Sequence, residues 1–192
     1  MISFVTIPRI LAILLLLLLP KALVAGGSKG EVDIQSINIS ATKSYQYKAD
    51  GTVSFQLSDT LQKALTHGVK LQATIDFTLG QHRSWWWNSA RRISRISYEL
   101  KYHSLSKHYV LKSTNSDQHW SFSNLPSALK QMGNIKNHKL PTLTSVIDEG
   151  DYYLYIRAKV GVEPRSLPLK IQSYFNSSKY HTKSEGVLWA LP

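Results

Sequence analysis

The chain has 192 residues and no cysteine, and its 23 Lys and Arg against 12 Asp and Glu give a formal net charge of +11. That length suits one domain with a real core. The absence of cysteine excludes a disulfide-stapled scaffold, thiol catalysis, iron–sulfur clusters, Cys-type zinc sites and a lipid-anchored lipoprotein.

The chain opens with the order of a secretory signal peptide over residues 1–25: Arg9, an apolar run over residues 10–19, then Pro20 and the small residues around Ala25-Gly26-Gly27. The run is too short to cross a bilayer, which takes about 20 helical residues. The expectation is cleavage near Ala25 and a single β-rich domain, residues 26–192, working in the periplasm or otherwise exported. The alternative is an uncleaved N-terminal anchor stretched over residues 4–24.

Strands dominate the rest of the chain. Val32 and Ile34, then Ile37 and Ile39, alternate around a break at Gln35-Ser36, which predicts a bulged strand or two short ones. The alternation continues over 42–47. Ala49-Asp50-Gly51 signals a tight hairpin, because Asp-Gly tolerates positive φ angles. Val53, Phe55 and Leu57 alternate after it. Ser58 and Asp59 then start a helix over 58–67, with Leu61, Ala64 and Leu65 at helical spacing and Gly68 as its left-handed end.

Residues 69–79 form a long strand with Val69, Leu71, Ala73, Ile75, Phe77 and Leu79 on one side. Ile96, Tyr98, Leu100 and Tyr102 repeat the pattern. Shorter strands are predicted over 109–112 and 118–122, separated by a turn at Thr114-Asn115-Ser116-Asp117. A second helix spans 124–133, with Pro126 tolerated in its first turn. A turn over 146–151 leads into a strand over 152–160, where Tyr153 and Tyr155 face away from Leu154 and Ile156. Pro164 to Pro168 interrupts the chain, and strands over 169–175 and 187–191 close it. Alternating strands with two short helices predict a mainly β fold, an antiparallel β-sandwich or a curved sheet, and argue against a doubly wound parallel sheet.

Positive charge is concentrated locally. Over residues 81–116 lie Arg83, Arg91, Arg92, Arg95, Lys101, Lys107 and Lys112 with one acid, Glu99. Export makes nucleic acid an unsuitable partner. It leaves lipid headgroups, cell-wall polymers and acidic protein faces as anions to meet, with ordinary solubility charge as the other reading.

Three stretches together carry a resemblance. They are Arg83-Ser84-Trp85-Trp86-Trp87, the Leu100-x-Tyr102-His103-x-Leu105-x-x-x-Tyr109 strand pair, and a tail over 169–190 ending near Trp189. With the Leu57-Ser58-Asp59-Thr60-Leu61 helix start, the chain resembles the proteobacterial exported family called domain of unknown function 4390. That resemblance implies genes often placed beside a histidine kinase of the NtrY type, hence a link to envelope signalling. It brings no catalytic or ligand residues.

A search for chemistry finds little. Ser127-Ala128-Leu129-Lys130 fits the Ser-x-x-Lys pattern of penicillin-binding enzymes, but the Lys-Thr-Gly companion is missing, and Ser104-Leu105-Ser106-Lys107 fits equally well. None of the seven histidines has the His-x-x-x-His spacing of a zinc protease. His103 and His108 can meet across a hairpin, as solvated strand residues. No catalytic residue, metal site or cofactor is therefore assigned.

The remaining feature is the Trp run. Three consecutive indoles cannot share one face of a strand, so at least one points away from the core. Indole and arginine together suit a membrane boundary or a protein interface. The expected binding residues are Arg83, Trp85, Trp86, Trp87, Arg91 and Arg92, and the expected partner is a membrane protein or an anionic membrane surface. The bland alternative places two indoles in the core and one on the rim. Functionally the chain is expected to be a non-enzymatic binding module. The alternative is a carrier of a lipid or other apolar ligand, with the sheet curved around a cavity.

Overall fold

The computed structural model describes residues 28–42, 46–81, 89–142, 152–162 and 178–190. The expected leader, the turn over 146–151, the break at 164–168 and the strand over 169–175 lie outside the described residues.

Two antiparallel sheets share one core. The smaller has three strands in the order β1-β2-β7: β1 (Glu31–Thr42), β2 (Gln46–Gln56) and β7 (Asn134–Lys139). The larger has seven strands, running β10-β8-β3-β4-β5-β6. They are β3 (Leu71–Gln81), β4 (Ser89–His103), β5 (His108–Ser113), β6 (His119–Phe122), β8 (Tyr152–Val162) and β10 (Val187–Ala190), with β9 (His181–Lys183) also on the outer edge of β8. Neither sheet closes on itself. The buried apolar side chains of both sheets form a single cluster, in which Phe77, Leu71, Ile75, Leu100, Leu111, Leu154 and Ile156 are almost completely enclosed.

Two helices carry the chain between the sheets. α1 (Asp59–Thr66) links β2 to β3, and α2 (Leu125–Met132) links β6 to β7. Each begins where the sequence places it. The Ser58 hydroxyl accepts a hydrogen bond from the Leu61 amide at 3.3 Å, and the Asn124 side chain accepts one from the Ser127 amide at 2.9 Å. α1 ends at Gly68, whose φ of +86° is the left-handed conformation expected there. Leu61 and Leu65 of α1, and Ala128 and Met132 of α2, are buried.

Three bulges decide which way side chains face. In β1, Gln35 is the extra residue between the Ile34–Val53 and Ser36–Thr52 pairs, as the break in alternation predicts. In β4, Ile93 is extra between the pairs that Ser94 and Arg92 make with Phe77 and Thr78. In β7, Lys136 and Asn137 together oppose Asp50.

The last bulge corrects the hairpin expected at Asp50-Gly51. β2 runs straight through these residues. Asp50 accepts a hydrogen bond from the Asn137 amide at 2.8 Å, holding Asn137 at a φ of +48°. Gly51 serves close approach, since a Cβ there would lie 2.4 Å from the Ser36 carbonyl oxygen. The Asp-Gly pair thus marks a place where three strands crowd together, not a chain reversal. Two strands escaped the sequence reading, β7 and β9, both short and mostly polar.

Gly133, between α2 and β7, tests this packing. Its φ of −89° suits any residue, but a Cβ would sit 1.8 Å from the Val53 carbonyl oxygen. At Gly68 a Cβ would meet nothing within 4 Å, so only the backbone objects. Gly133→Ala is expected to cost about 1–3 kcal/mol or more by overpacking. Gly68→Ala is expected to cost about 1–2 kcal/mol by left-handed strain. Thermal melts of both variants check the order, and an unchanged Tm for Gly133→Ala contradicts the close approach.

Candidate contact surface

In sequence, the six expected binding residues fall within the connection between β3 and β4 or at the start of β4. Arg83, Trp85, Trp86 and Trp87 lie outside the described residues. Arg91 and Arg92 open β4, and both are exposed. The Ile93 bulge sets their directions. Arg91 pairs with Leu79, whose side chain faces the core side, while Arg92 pairs with Thr78 on the outer face. Adjacent strand residues point to opposite faces, so the two guanidiniums are not brought together.

On the outer face of the larger sheet, Arg92 looks toward Asp76, with its Nη1 3.9 Å from the carboxylate. Arg95 holds the same carboxylate from two nitrogens, with Nη2 to Oδ2 at 3.0 Å. This fork of donors is the strong form of an arginine–carboxylate pair. The hydrogen bond to Asp76 raises the Arg95 pKa, with burial opposing it and the Asp76 charge adding to it. Lys70 pairs with Glu99 at 2.9 Å. The two acids of this face are therefore already answered, and Arg157, Lys159, Lys183 and Lys112 remain exposed on it. Residues 157, 159 and 183 were not singled out in the sequence. The only signal was the alternation of Arg157 and Lys159 with buried Ala158 and Val160.

A second polar group lies between the sheets. His138 of β7 stacks on Phe77 of β3 with centroids 5.3 Å apart, and its Nε2 lies 2.8 Å from the Ser94 hydroxyl of β4. The bulge at Lys136-Asn137, tied to Asp50, is adjacent to His138. Burial pushes the His138 pKa below its ordinary value and the Tyr98 phenol above its own. Both residues border a recess of about 310 Å³ that also takes in Trp120, Gln131 and Asn115. A larger groove of about 920 Å³ opens between β2 and α2, lined by Phe55, Leu57, Leu125, Leu129 and Gln62 among others.

The Ser-x-x-Lys pattern at Ser104 and Lys107 falls in the exposed turn between β4 and β5. His103 and His108 face each other across that hairpin and are exposed. Among the described residues no three His, Asp or Glu side chains gather as a metal site, and no helix is long and apolar enough to cross a membrane.

The sequence matches the family model described as "Domain of unknown function (DUF4390)" over residues 29–189. The chain belongs to this family. The DUF4390 match runs from just before β1 into β10, so it takes in strands of both sheets, both helices and the β3–β4 connection. Neither a curated protein nor a solved structure matches the chain.

The buried imidazole gives a pH test. In the folded protein His138 resists protonation, while the unfolded chain takes up a proton near the ordinary value of about 6.5. Its contribution to stability is therefore full above that pH and falls as pH drops through it. The loss levels off once the folded pKa is passed. His138→Gln is expected to flatten the fall in Tm between neutral and mildly acidic pH. Parallel Tm–pH profiles for the two proteins would remove His138 as the cause.

Proposed function

We propose that this DUF4390 protein is a non-enzymatic binding module of the cell envelope that meets its partner through the β3–β4 end of the larger sheet. The observation that carries this reading is the placement of Arg91 and Arg92. Both are exposed at the start of β4, on opposite faces, where β3 and β4 run out toward the Trp85-Trp86-Trp87 connection. An arginine on each face, close in sequence to a run of three Trp, supplies the residue types that dominate binding energy at interfaces.

The interior supports a contact surface over a carrier's cavity. The sheets are open at their edges, and the inner face of β3 is packed with enclosed side chains. Neither the recess nor the groove is an enclosed cavity. The seven-stranded sheet gives the contact end a rigid base, because β3 is paired on both edges along its whole length.

The test uses native envelope membranes. Arg91→Ala combined with Arg92→Ala, and separately Trp86→Ala, should weaken association by about tenfold or more, the scale of interface anchors. The double arginine change should leave Tm nearly unchanged, since exposed substitutions cost about 0.5 kcal/mol or less. Unchanged association per folded molecule, with a sharp fall in Tm for Trp86→Ala, would mean the indoles serve the core and would end this reading.

A further inference from the structure

The outward face of β8 and β9 holds cations that form no ion pair within 4 Å among the described residues, although Arg157 stands opposite Asp76 in the β3–β8 ladder. Lys159 and Lys183 stand directly opposite each other in the β8–β9 ladder, both exposed, while Ala158 and Val160 on either side of Lys159 are buried. Like charges in directly opposed positions destabilise a sheet. Arg157, two residues along β8 on the same face, is exposed as well. Its guanidinium donates to the Tyr155 hydroxyl from Nε at 3.1 Å and lies over that ring, 4.9 Å from the centroid. The ion pairs that Lys and Arg side chains make between described residues go to Asp76 or Glu99. Glu185, in the link from β9 to β10, is exposed and forms none with these three. Thr74, in register with Lys159 on β3, is 3% exposed and its hydroxyl has no hydrogen-bond partner among the described residues.

Toward β10 the same face turns apolar. Leu188 pairs with Tyr155 and is 65% exposed. The Tyr155 ring packs against Gly186 and the Tyr153 ring against Gly80, so closely that a Cβ on either glycine would overlap the ring. The link between β9 and β10 is what puts Lys183 and Leu188 on one face. Strict alternation from Lys183 would turn Leu188 inward. Three residues, 184–186, instead span the gap opposite Arg157 and Ala158. Buried Ser184 closes it, its amide donating to the Ala158 carbonyl at 2.8 Å and its hydroxyl accepting from the Ala158 amide at 3.0 Å.

We propose that this face docks on an anionic lipid bilayer. Lys159, Lys183 and Arg157 meet headgroup phosphates, and Leu188 with Tyr155 enters the interfacial zone. The inference deepens the binding-module reading and rests on it, naming the β8–β9–β10 edge of the same outer face that carries Arg92. Charge complementarity chooses the anion. The apolar margin chooses the bilayer: basic residues bordered by an exposed aliphatic chain and phenols are the composition of an interfacial surface. A fluid array of headgroups also fills a like-charged pair at strand spacing, about 5 Å, with no matched geometry in the partner.

The experiment sediments the full chain with vesicles of phosphatidylcholine alone, and of phosphatidylcholine mixed with phosphatidylglycerol. Binding driven by the apolar run near the N-terminus is common to both, so the preference for the anionic vesicles is the readout. The wild type should prefer them, and added salt should weaken that preference. Lys159→Glu with Lys183→Glu should reduce it by about tenfold or more. Lys159→Gln with Lys183→Gln should give a smaller loss, which keeps the test valid if charge reversal disturbs folding. Leu188→Ser should weaken anionic-vesicle binding further. Equal binding to both vesicle types, or a preference unaffected by either lysine pair, overturns the proposal. So does stronger binding to poly-glutamate than to anionic vesicles, which would assign the face to an acidic protein. If vesicles fail while native-membrane association still depends on Arg91 and Arg92, this inference falls and the module reading stands.

Discussion

β3 is hydrogen-bonded along all eleven residues to β4 on one edge and to β8 on the other, and the rest of the molecule is arranged around that double pairing. Its inner side chains, Leu71, Ala73, Ile75, Phe77 and Leu79, are buried. A one-residue slip would move all of them to the wrong face, so burial fixes the register on both edges. The outer residues of β4 and β8 inherit their positions from it. Asp76 pairs with Arg95, and stands in register with Arg157 without an ion pair to it, because Phe77 must face inward. The surface chemistry of this protein is thus set by its core.

The elements that the sequence made legible are those whose burial is regular. Period-two runs in β1, β3, β4 and β8 and the caps at Ser58, Gly68 and Asn124 all correspond to the observed fold. β7 escaped because it is an edge strand with one buried aliphatic, Ile135. Its other inward group is His138, half-buried and polar, with a bulge between the two. β9 is three residues long and buries none of them. Asp50-Gly51 misled because the tolerance that suits Gly to a tight turn also suits it to close strand contact. Sequence shows that a side chain is unwelcome at such a position and leaves open whether the reason is the angle or the space.

The contact residues were legible as types and not as an arrangement. Arg91 and Arg92 are visible in the sequence as a basic pair. As neighbours on a strand they face opposite ways; the single extra residue at Ile93 decides that Arg92 takes the outer face, and nothing in the apolar pattern after it, starting at Ile96, announces that bulge. Lys159 and Lys183 present the reverse case. Each reads as an ordinary solvated lysine, and only strand pairing across twenty-odd residues of chain sets them opposite one another. The Ser184 bridge that aligns Lys183 with Leu188 is likewise a tertiary feature.

Division of charge between the middle of the sheet and its edge follows from solvent access. Asp76 is only one-fifth exposed, in the central strand with ladders on both sides. A carboxylate there must be satisfied locally, and Arg95 does so with two hydrogen bonds. At the β8–β9 edge both lysines reach water, so their repulsion is screened and the fold tolerates it. The fold therefore sets different terms for the two places. Removing Arg95 would leave a poorly solvated carboxylate without its partner. Changing Lys159 or Lys183 alters what the face attracts and leaves the ladder beneath intact. Unanswered charge collects where it is cheapest for the fold and most available to a partner, which is why the edge of the sheet, and not its centre, is the place to look for recognition.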